Sequence, residues 1–396
     1  MESLYSYQNQ LIESSDFLFC RGILGEIEWK ERLIGLTGAR GVGKTTLMLQ
    51  HLLDSSLPTK RKLYLSMDNL NLPFTSLISF AEKFYQQGGK LLMVDEIHKL
   101  PDWSAELKNI YDLLPGLQVA FSGSSLLKIK TGSADLSRRA VIYNIQGLSF
   151  REYLQINLGI PLEKYPLKTL LKDHEAISHE INKKLKPLQY FNDYLKHGYY
   201  PFYLQSVNTY PLKLNAVLNF IIETEIPSII NLDQKNIGKI KRLLQIIAAS
   251  TPFQPNIVKL SESLDTHRST LLQYLHLLET TDITRNLYSD GSFYGKLSKP
   301  GKILLHHPNL AYCLNEDVNS GSNRESFFCN QVSAENKVEL SAKADFIING
   351  KYSFEIGGAK KTRRQISGLD SAYIVADDLA YGYENKIPIW LFGFLY

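Results

Sequence analysis

The stretch Leu33-Ile34-Gly35-Leu36-Thr37-Gly38-Ala39-Arg40-Gly41-Val42-Gly43-Lys44-Thr45-Thr46-Leu47-Met48 joins an apolar run, a glycine-rich turn and the start of a second apolar segment. From Gly38 to Thr45 it satisfies the pattern G-x-x-x-x-G-K-[ST], in the strand–loop–helix context that the pattern requires. Each residue type has a physical task. Gly38, Gly41 and Gly43 admit backbone conformations closed to other residues, so successive N–H groups can point into one concave nest for phosphates. A helix beginning near Lys44 adds its unpaired N-terminal donors and the positive end of its dipole. Lys44 is expected to reach the β- and γ-phosphates and the Thr45 hydroxyl to ligate Mg²⁺, with Arg40, Val42 and Thr46 completing the nucleotide contacts. The expected cofactors are therefore ATP and Mg²⁺.

Outward from the loop, Leu91-Leu92-Met93-Val94-Asp95-Glu96-Ile97-His98 reads as a buried parallel strand whose two acids emerge at its carboxyl end, where ligands of α/β sheets sit. Asp95 is expected to hold Mg²⁺, usually through water, and Glu96 to orient the attacking water as catalytic base. Leu63 to Asp68 reads as another strand, with Asp68 either near the phosphates or capping the next loop. Gln118 to Ser122 reads as a further strand; Ser122 at its end either senses the γ-phosphate or belongs to a serine-rich turn capping the next helix. Asp135-Leu136-Ser137-Arg138-Arg139 precedes a fifth strand, Val141-Ile142-Tyr143. An arginine there, Arg138 or Arg139, could stabilise transition-state charge in cis or across a subunit interface, or be a solvated surface group. Residues 1 to 30 are consistent with a lead-in helix beside the nucleotide, with Arg21 and Gly22 before the acidic, aromatic segment Glu26 to Glu31.

A chain of 396 residues is long enough for two or three domains. Lys plus Arg number 44 against 40 Asp plus Glu, and the resulting charge of +4 is too small to argue for nucleic acid, so any basic surface must be local. Cys20, Cys313 and Cys329 are scattered and show no paired metal-ligand spacing, which suits a reducing compartment. No charged-then-apolar leader and no run of eighteen apolar residues occurs, so a cytoplasmic protein without membrane contact is expected. The apolar tail Ile387 to Tyr396 reads as a buried final strand.

Gly38 to Thr45, Asp95 to His98, Phe121 to Ser125 and Gly147-Leu148-Ser149-Phe150-Arg151-Glu152-Tyr153 together resemble the AAA-type core of a widespread bacterial and archaeal ATPase family. In that family a P-loop domain is followed by a helical lid, a winged helix and a C-terminal domain related to restriction-type nucleases. The resemblance implies an α/β fold with a P-loop AAA-type parallel core at 1–153, a helical lid at 154–234, a winged helix at 235–300 and an α/β nuclease-like domain at 301–396. The family usually reads Gly-Arg where this chain has Arg138-Arg139.

Apolar spacing through Tyr190, Phe191, Tyr194 and Leu195 fits helices of the lid, and the Lys183-Lys184-Leu185-Lys186 run fits a solvated helix face. Ile257 to Leu264, a break at Asp265-Thr266, His267 to Leu275 and a strand at Thr284 to Tyr288 fit a winged helix. Its segment Ile257 to Arg285 holds Lys259, Arg268 and Arg285 against Glu262, Asp265, Glu279 and Asp282. Without excess positive charge it lacks the phosphate attraction that dominates DNA affinity, and a structural or protein-contact role is favoured.

Further on, Glu325 falls on a helix, while Ala344 to Ile348 and Tyr352 to Ile356 flank a hairpin turn at Asn349-Gly350. Asp345 and Glu355 resemble the metal-binding pair of restriction-type nucleases. The family pattern wants a lysine two residues after the second acid, and this chain has Gly357 there. Lys360 or Lys361 could supply the missing charge, since Gly358 allows a bend, but a domain without hydrolysis is the simpler expectation. Lys360, Lys361, Arg363 and Arg364 are the candidate contacts for a DNA or RNA backbone.

Three functions remain open at this point. The first is a Mg²⁺-dependent ATPase acting as a switch on a nucleic-acid or protein partner, with a homo-oligomer among the possible assemblies. The second is an ATP-gated nucleic-acid-binding protein or nuclease. The third is a scaffold that binds ATP with negligible hydrolysis, against which Glu96 argues.

Overall fold

Five short apolar runs of the N-terminal part pair as one all-parallel sheet, each of them where the sequence predicts a strand. They are β1 (Leu33–Thr37), β2 (Lys62–Ser66), β3 (Leu91–Asp95), β4 (Gln118–Ser122) and β5 (Val141–Asn144), in the spatial order β2-β3-β4-β1-β5. The computed structural model describes residues 1–396 apart from 16, 18, 70, 71, 73–75, 126–135, 229, 231, 250–252, 289–298, 316 and 317, and apart from the side chain of residue 363. Asp135 thus lies outside the described residues. The chain divides into two units, Met1–Gly147 and Leu148–Tyr396.

In the first unit, strands β1 and β3 are buried at every position, which is why they read as continuous apolar runs instead of alternating ones. Helices α1 (Glu2–Ser14), α2 (Ile23–Glu26), α3 (Lys44–Asp54), α4 (Leu77–Gln86) and α5 (Trp103–Leu113) accompany the sheet. Phe80, Phe84, Leu107 and Ile110 of α4 and α5 pack with Leu63, Leu65, Leu92 and Val94 in one core. Each such side chain contributes about 1.5–3 kcal/mol by leaving water. The lead-in helix is α1, whereas the segment after Glu26 is a turn entering β1. Helix α1 packs on the edge strand β2, and the Gln8 side-chain carbonyl accepts the Tyr64 N–H at 2.8 Å, so that exposed-edge donor is satisfied.

Because every strand is parallel, Thr37, Ser66, Asp95 and Ser122 finish at one edge of the sheet. The sequence therefore places its candidate phosphate loop and its acids together through topology alone.

The second unit opens with α6 (Phe150–Leu158), started by a capping box in which Ser149 and Glu152 satisfy one another's backbone N–H groups. Helices α7 (Leu167–Lys184) and α8 (Pro187–Asp193) follow, and the latter runs into a π-helical turn, Tyr194–Gly198. Next come α9 (Tyr210–Phe220), α10 (Gln234–Ala249), α11 (Ile257–Ser263) and α12 (Arg268–Thr280). An antiparallel pair closes this region, β6 (Thr284–Leu287) with β7 (Lys302–Leu305); most of the segment joining them lies outside the described residues.

After α13 (Pro308–Leu314) and α14 (Ser320–Val332), a second sheet forms from β8 (Val338–Leu340), β9 (Phe346–Ile348), β10 (Tyr352–Gly357), β11 (Ala372–Ala376) and β12 (Lys386–Pro388), in the order β12-β11-β10-β9-β8. The predicted hairpin is present, and Asn349 and Gly350 both take positive φ, 55° and 65°, as its two-residue turn requires. The tail departs from expectation: its strand ends at Pro388, which has no N–H to donate, and Ile389–Phe394 continue as a buried 3-10 helix.

Candidate nucleotide site

The loop between β1 and α3 has the backbone that its glycines were expected to permit. Gly38, Gly41 and Gly43 have φ of 146°, 86° and 95°. A Cβ at Gly38 would stand 2.2 Å from the Ile145 carbonyl oxygen, so side chains are excluded there by space as well as by conformation. The Lys44 ammonium donates to the carbonyls of Gly38 at 2.8 Å and Ala39 at 2.9 Å, which holds its charge against the loop.

Behind the loop stands Asp95, only 3% exposed at the end of β3. Its Oδ2 accepts from the hydroxyls of Thr45 and Tyr64, each at 2.7 Å. Its Oδ1 accepts from the Ser122 hydroxyl and from the Glu96 N–H at 3.2 Å. Four donors on one carboxylate fix its orientation and satisfy its oxygens in a buried setting. Glu96 itself adopts a left-handed conformation, φ 55° and ψ 42°, strained for a residue with a side chain. That turn aims its carboxylate away from the strand and toward His98, whose Nδ1 lies 3.3 Å from Oε2. Burial, and then the charge of Asp95, raise the Glu96 pKa above its ordinary value, while Lys44 and Arg40 oppose them.

The structure therefore brings Gly38, Arg40, Gly41, Val42, Gly43, Lys44, Thr45, Thr46, Asp95, Glu96 and Ser122 to one edge of one sheet. Two readings change. The single hydroxyl proton of Ser122 is given to Asp95, so in this arrangement Ser122 orients the acid and is not poised as a phosphate sensor. Asp68 pairs with Lys99 at 2.7 Å across a half-exposed surface, and its charge is felt at Glu96.

Arg138 and Arg139 lie elsewhere. They precede β5, whose Val141 stands beside Ile34 at the edge where the strands begin. The P-loop leaves from the opposite edge, about 13 Å away along a strand of this length. Arg139 is held by Asp112 of α5 through two contacts of 2.9 and 3.0 Å.

Sequence reasoning passed over the roles of three residues. Arg21, 7% exposed, donates to the carbonyls of Val42, Gln146 and Gly147 at 3.2, 2.8 and 2.9 Å, tying the loop to the segment after β5. Tyr64 is a strand residue like its neighbours until register sets its hydroxyl on Asp95. His98 carries no signal beyond its spacing from Glu96.

In the second unit a different acid cluster forms. Glu325 of α14 pairs with Lys302 at 2.8 Å, and Glu355 of β10 with Lys361 at 2.6 Å. Asp345 accepts the Ile356 N–H at 2.7 Å. The stem of Lys361 lies over Gly357, where an added Cβ would meet its carbons at 2.8–2.9 Å. Lys361 has thus turned inward and leaves the expected surface cluster, in which Lys360 and Arg364 remain exposed. Among the described residues no group of three or more His, Cys, Asp or Glu side chains is arranged to hold a metal ion.

Residues 30–154 match the model of a family described as an AAA domain. Residues 188–313 match one described only as a domain of unknown function. An uncharacterized protein of Methanocaldococcus jannaschii is 28% identical over 394 residues, covering 90% of this chain and 82% of its own. Among solved structures, Hsp104 with ATPγS and casein is 15% identical at a TM-score of 0.31, over 44% of this chain and 34% of that one, so the chain spans about a third of it. A RuvB variant of Thermotoga maritima is 17% identical at a TM-score of 0.27, over 72% of this chain and 89% of that one. Structural likenesses this low add nothing to the family match. That match supports an AAA-type P-loop core, and with it nucleotide binding and hydrolysis, on the parallel five-stranded sheet. No helix among the described residues is long and apolar enough to cross a membrane.

Proposed function

We propose that the protein is a Mg²⁺-dependent ATPase whose nucleotide state acts on a nucleic-acid or protein partner. The observation that carries this reading is the Thr45–Asp95 hydrogen bond, which joins the phosphate loop to the acidic strand end behind it. Thr45 would ligate Mg²⁺ and Asp95 would hold it through water, and the ion when bound neutralises phosphate charge and aligns the terminal phosphoryl group. Lys44, the loop N–H groups and the α3 N-terminus bind the phosphates, with Arg40, Val42 and Thr46 around them. Glu96 accepts a proton from the attacking water, and its pairing with His98 orients it. An arginine finger, if used, comes from Arg138 or Arg139 of a second copy; what supports this is that both precede β5, whose first residue pairs with Ile34 at the edge away from the P-loop. ATP turnover measured with and without DNA, RNA or cell extract tests the proposal: no turnover under any condition would leave an ATP-binding scaffold.

The helices α10 to α12 with the β6–β7 pair fit a winged helix, and a protein-contact role suits their balanced charge. A second reading, an ATP-gated nuclease, is favoured by one observation. Lys361 supplies beside Glu355 the ammonium that Gly357 cannot, and so removes the main argument for an inactive C-terminal domain. Metal-dependent cleavage of DNA or RNA that disappears in Asp345→Ala would establish it; its absence leaves the lysines as internal counter-ions.

A further inference from the structure

We propose that Tyr64 is a positioning residue for the metal end of the nucleotide site, acting through Asp95; this rests on the nucleotide reading above. A carboxylate has two oxygens and about four lone-pair positions. On Asp95 all four are used, by Thr45 and Tyr64 on Oδ2 and by Ser122 and the Glu96 N–H on Oδ1. Asp95 so enclosed does not turn an oxygen onto a cation directly. It accepts the Thr45 proton, and Thr45 then presents its own lone pairs on the loop side.

Tyr64 decides that arrangement. Without its hydroxyl, Oδ2 has a free lone pair and the carboxylate can rotate between Thr45 and a cation. The phenol is 2% exposed and sits on β2, one strand away from Asp95, so its position is set by the sheet and not by the loop. The strand in turn is fixed by α1, through the Gln8 contact to the Tyr64 N–H. The N-terminal helix and the edge strand thus form the back wall of the metal-binding end.

The test is a Mg²⁺ titration of the full chain with a fluorescent ATP analogue, comparing wild type with Tyr64→Phe, which keeps the ring and its packing. Affinity in EDTA should be unchanged. The Mg²⁺ concentration that half-saturates the metal-dependent gain in affinity should rise roughly tenfold, the worth of one hydrogen bond to a charged group. A folded Tyr64→Phe whose Mg²⁺ midpoint matches wild type overturns the positioning role while leaving the nucleotide site standing. Wild type that binds no analogue at all overturns the nucleotide reading and this role with it. If Tyr64→Phe does not fold, 3-fluorotyrosine at position 64 serves instead. Its ¹⁹F resonance should move with ADP and Mg²⁺ but not with ADP in EDTA, and a resonance indifferent to Mg²⁺ would overturn the inference.

Discussion

Asp95 in the first unit and Glu355 in the second are both almost wholly buried carboxylates, 3% and 1% exposed, yet their partners differ in kind. Asp95 is surrounded by neutral donors, three hydroxyls and one N–H, whereas Glu355 is paired with the Lys361 ammonium. Neutral donors orient a carboxylate and leave its full negative charge for a cation. A lysine cancels that charge from within. Under the proposed function the first site would attract Mg²⁺ beside a polyphosphate; in the second each of two acids already has an ammonium partner, with Lys302 repeating on Glu325 the arrangement of Lys361 on Glu355. Buried acids alone therefore do not define a metal site, and the charge of the groups around them decides.

The comparison can be broken most sharply at Glu96. Glu96→Gln should retain ATP affinity and lose hydrolysis by about a thousandfold, because it removes the base and no phosphate contact. Normal hydrolysis by this variant would assign the base to another residue. Lys44→Ala should weaken ATP binding on the order of a hundredfold, the loss of two charge-assisted contacts to phosphate. Unchanged affinity in a direct binding assay would move the nucleotide away from the first unit altogether.

Smaller effects are expected at the arginines. If either serves a neighbouring copy, turnover per chain rises severalfold with protein concentration, and Arg138→Ala or Arg139→Ala flattens the rise. A rate independent of concentration in wild type would remove both from the mechanism, since their edge of the sheet is the one away from the P-loop. The smallest effect tests the second site. Lys361→Ala leaves Glu355 buried without its cation, which should cost about 1–3 kcal/mol once the lysine's partial exposure is discounted. The melting temperature should fall by several degrees. Mn²⁺ should restore part of that loss if Asp345 and Glu355 can share a metal, and a melting curve indifferent to Mn²⁺ would confine both acids to structural roles.

Most of the first unit was legible because its signals are local. Strands buried on both faces write themselves as apolar runs such as Leu91 to Val94, and the phosphate loop is written in consecutive residues whose glycines have no substitutes. Parallel pairing then carries Asp95 and Ser122 to the P-loop edge without further information. The same rule was available for Arg138 and Arg139, whose place ahead of β5 puts them near the edge where the strands begin.

The sequence by itself determined that a P-loop, an acidic strand end and a hairpin carrying Asp345 and Glu355 exist, since each depends on neighbours within a few residues. Only the tertiary structure decided what surrounds those groups. Tyr64 reaches Asp95 from 31 positions away, Arg21 holds Gln146 and Gly147 from 125 and 126 away, and Lys302 meets Glu325 from 23 away. Lys361 needed only a bend after Gly357, yet whether that bend turned its ammonium to solvent or onto Glu355 was a choice made by packing. Residue type and spacing fix which charges a chain carries; the partners that leave a charge available or cancel it are chosen by register and long-range contact, which no local pattern encodes.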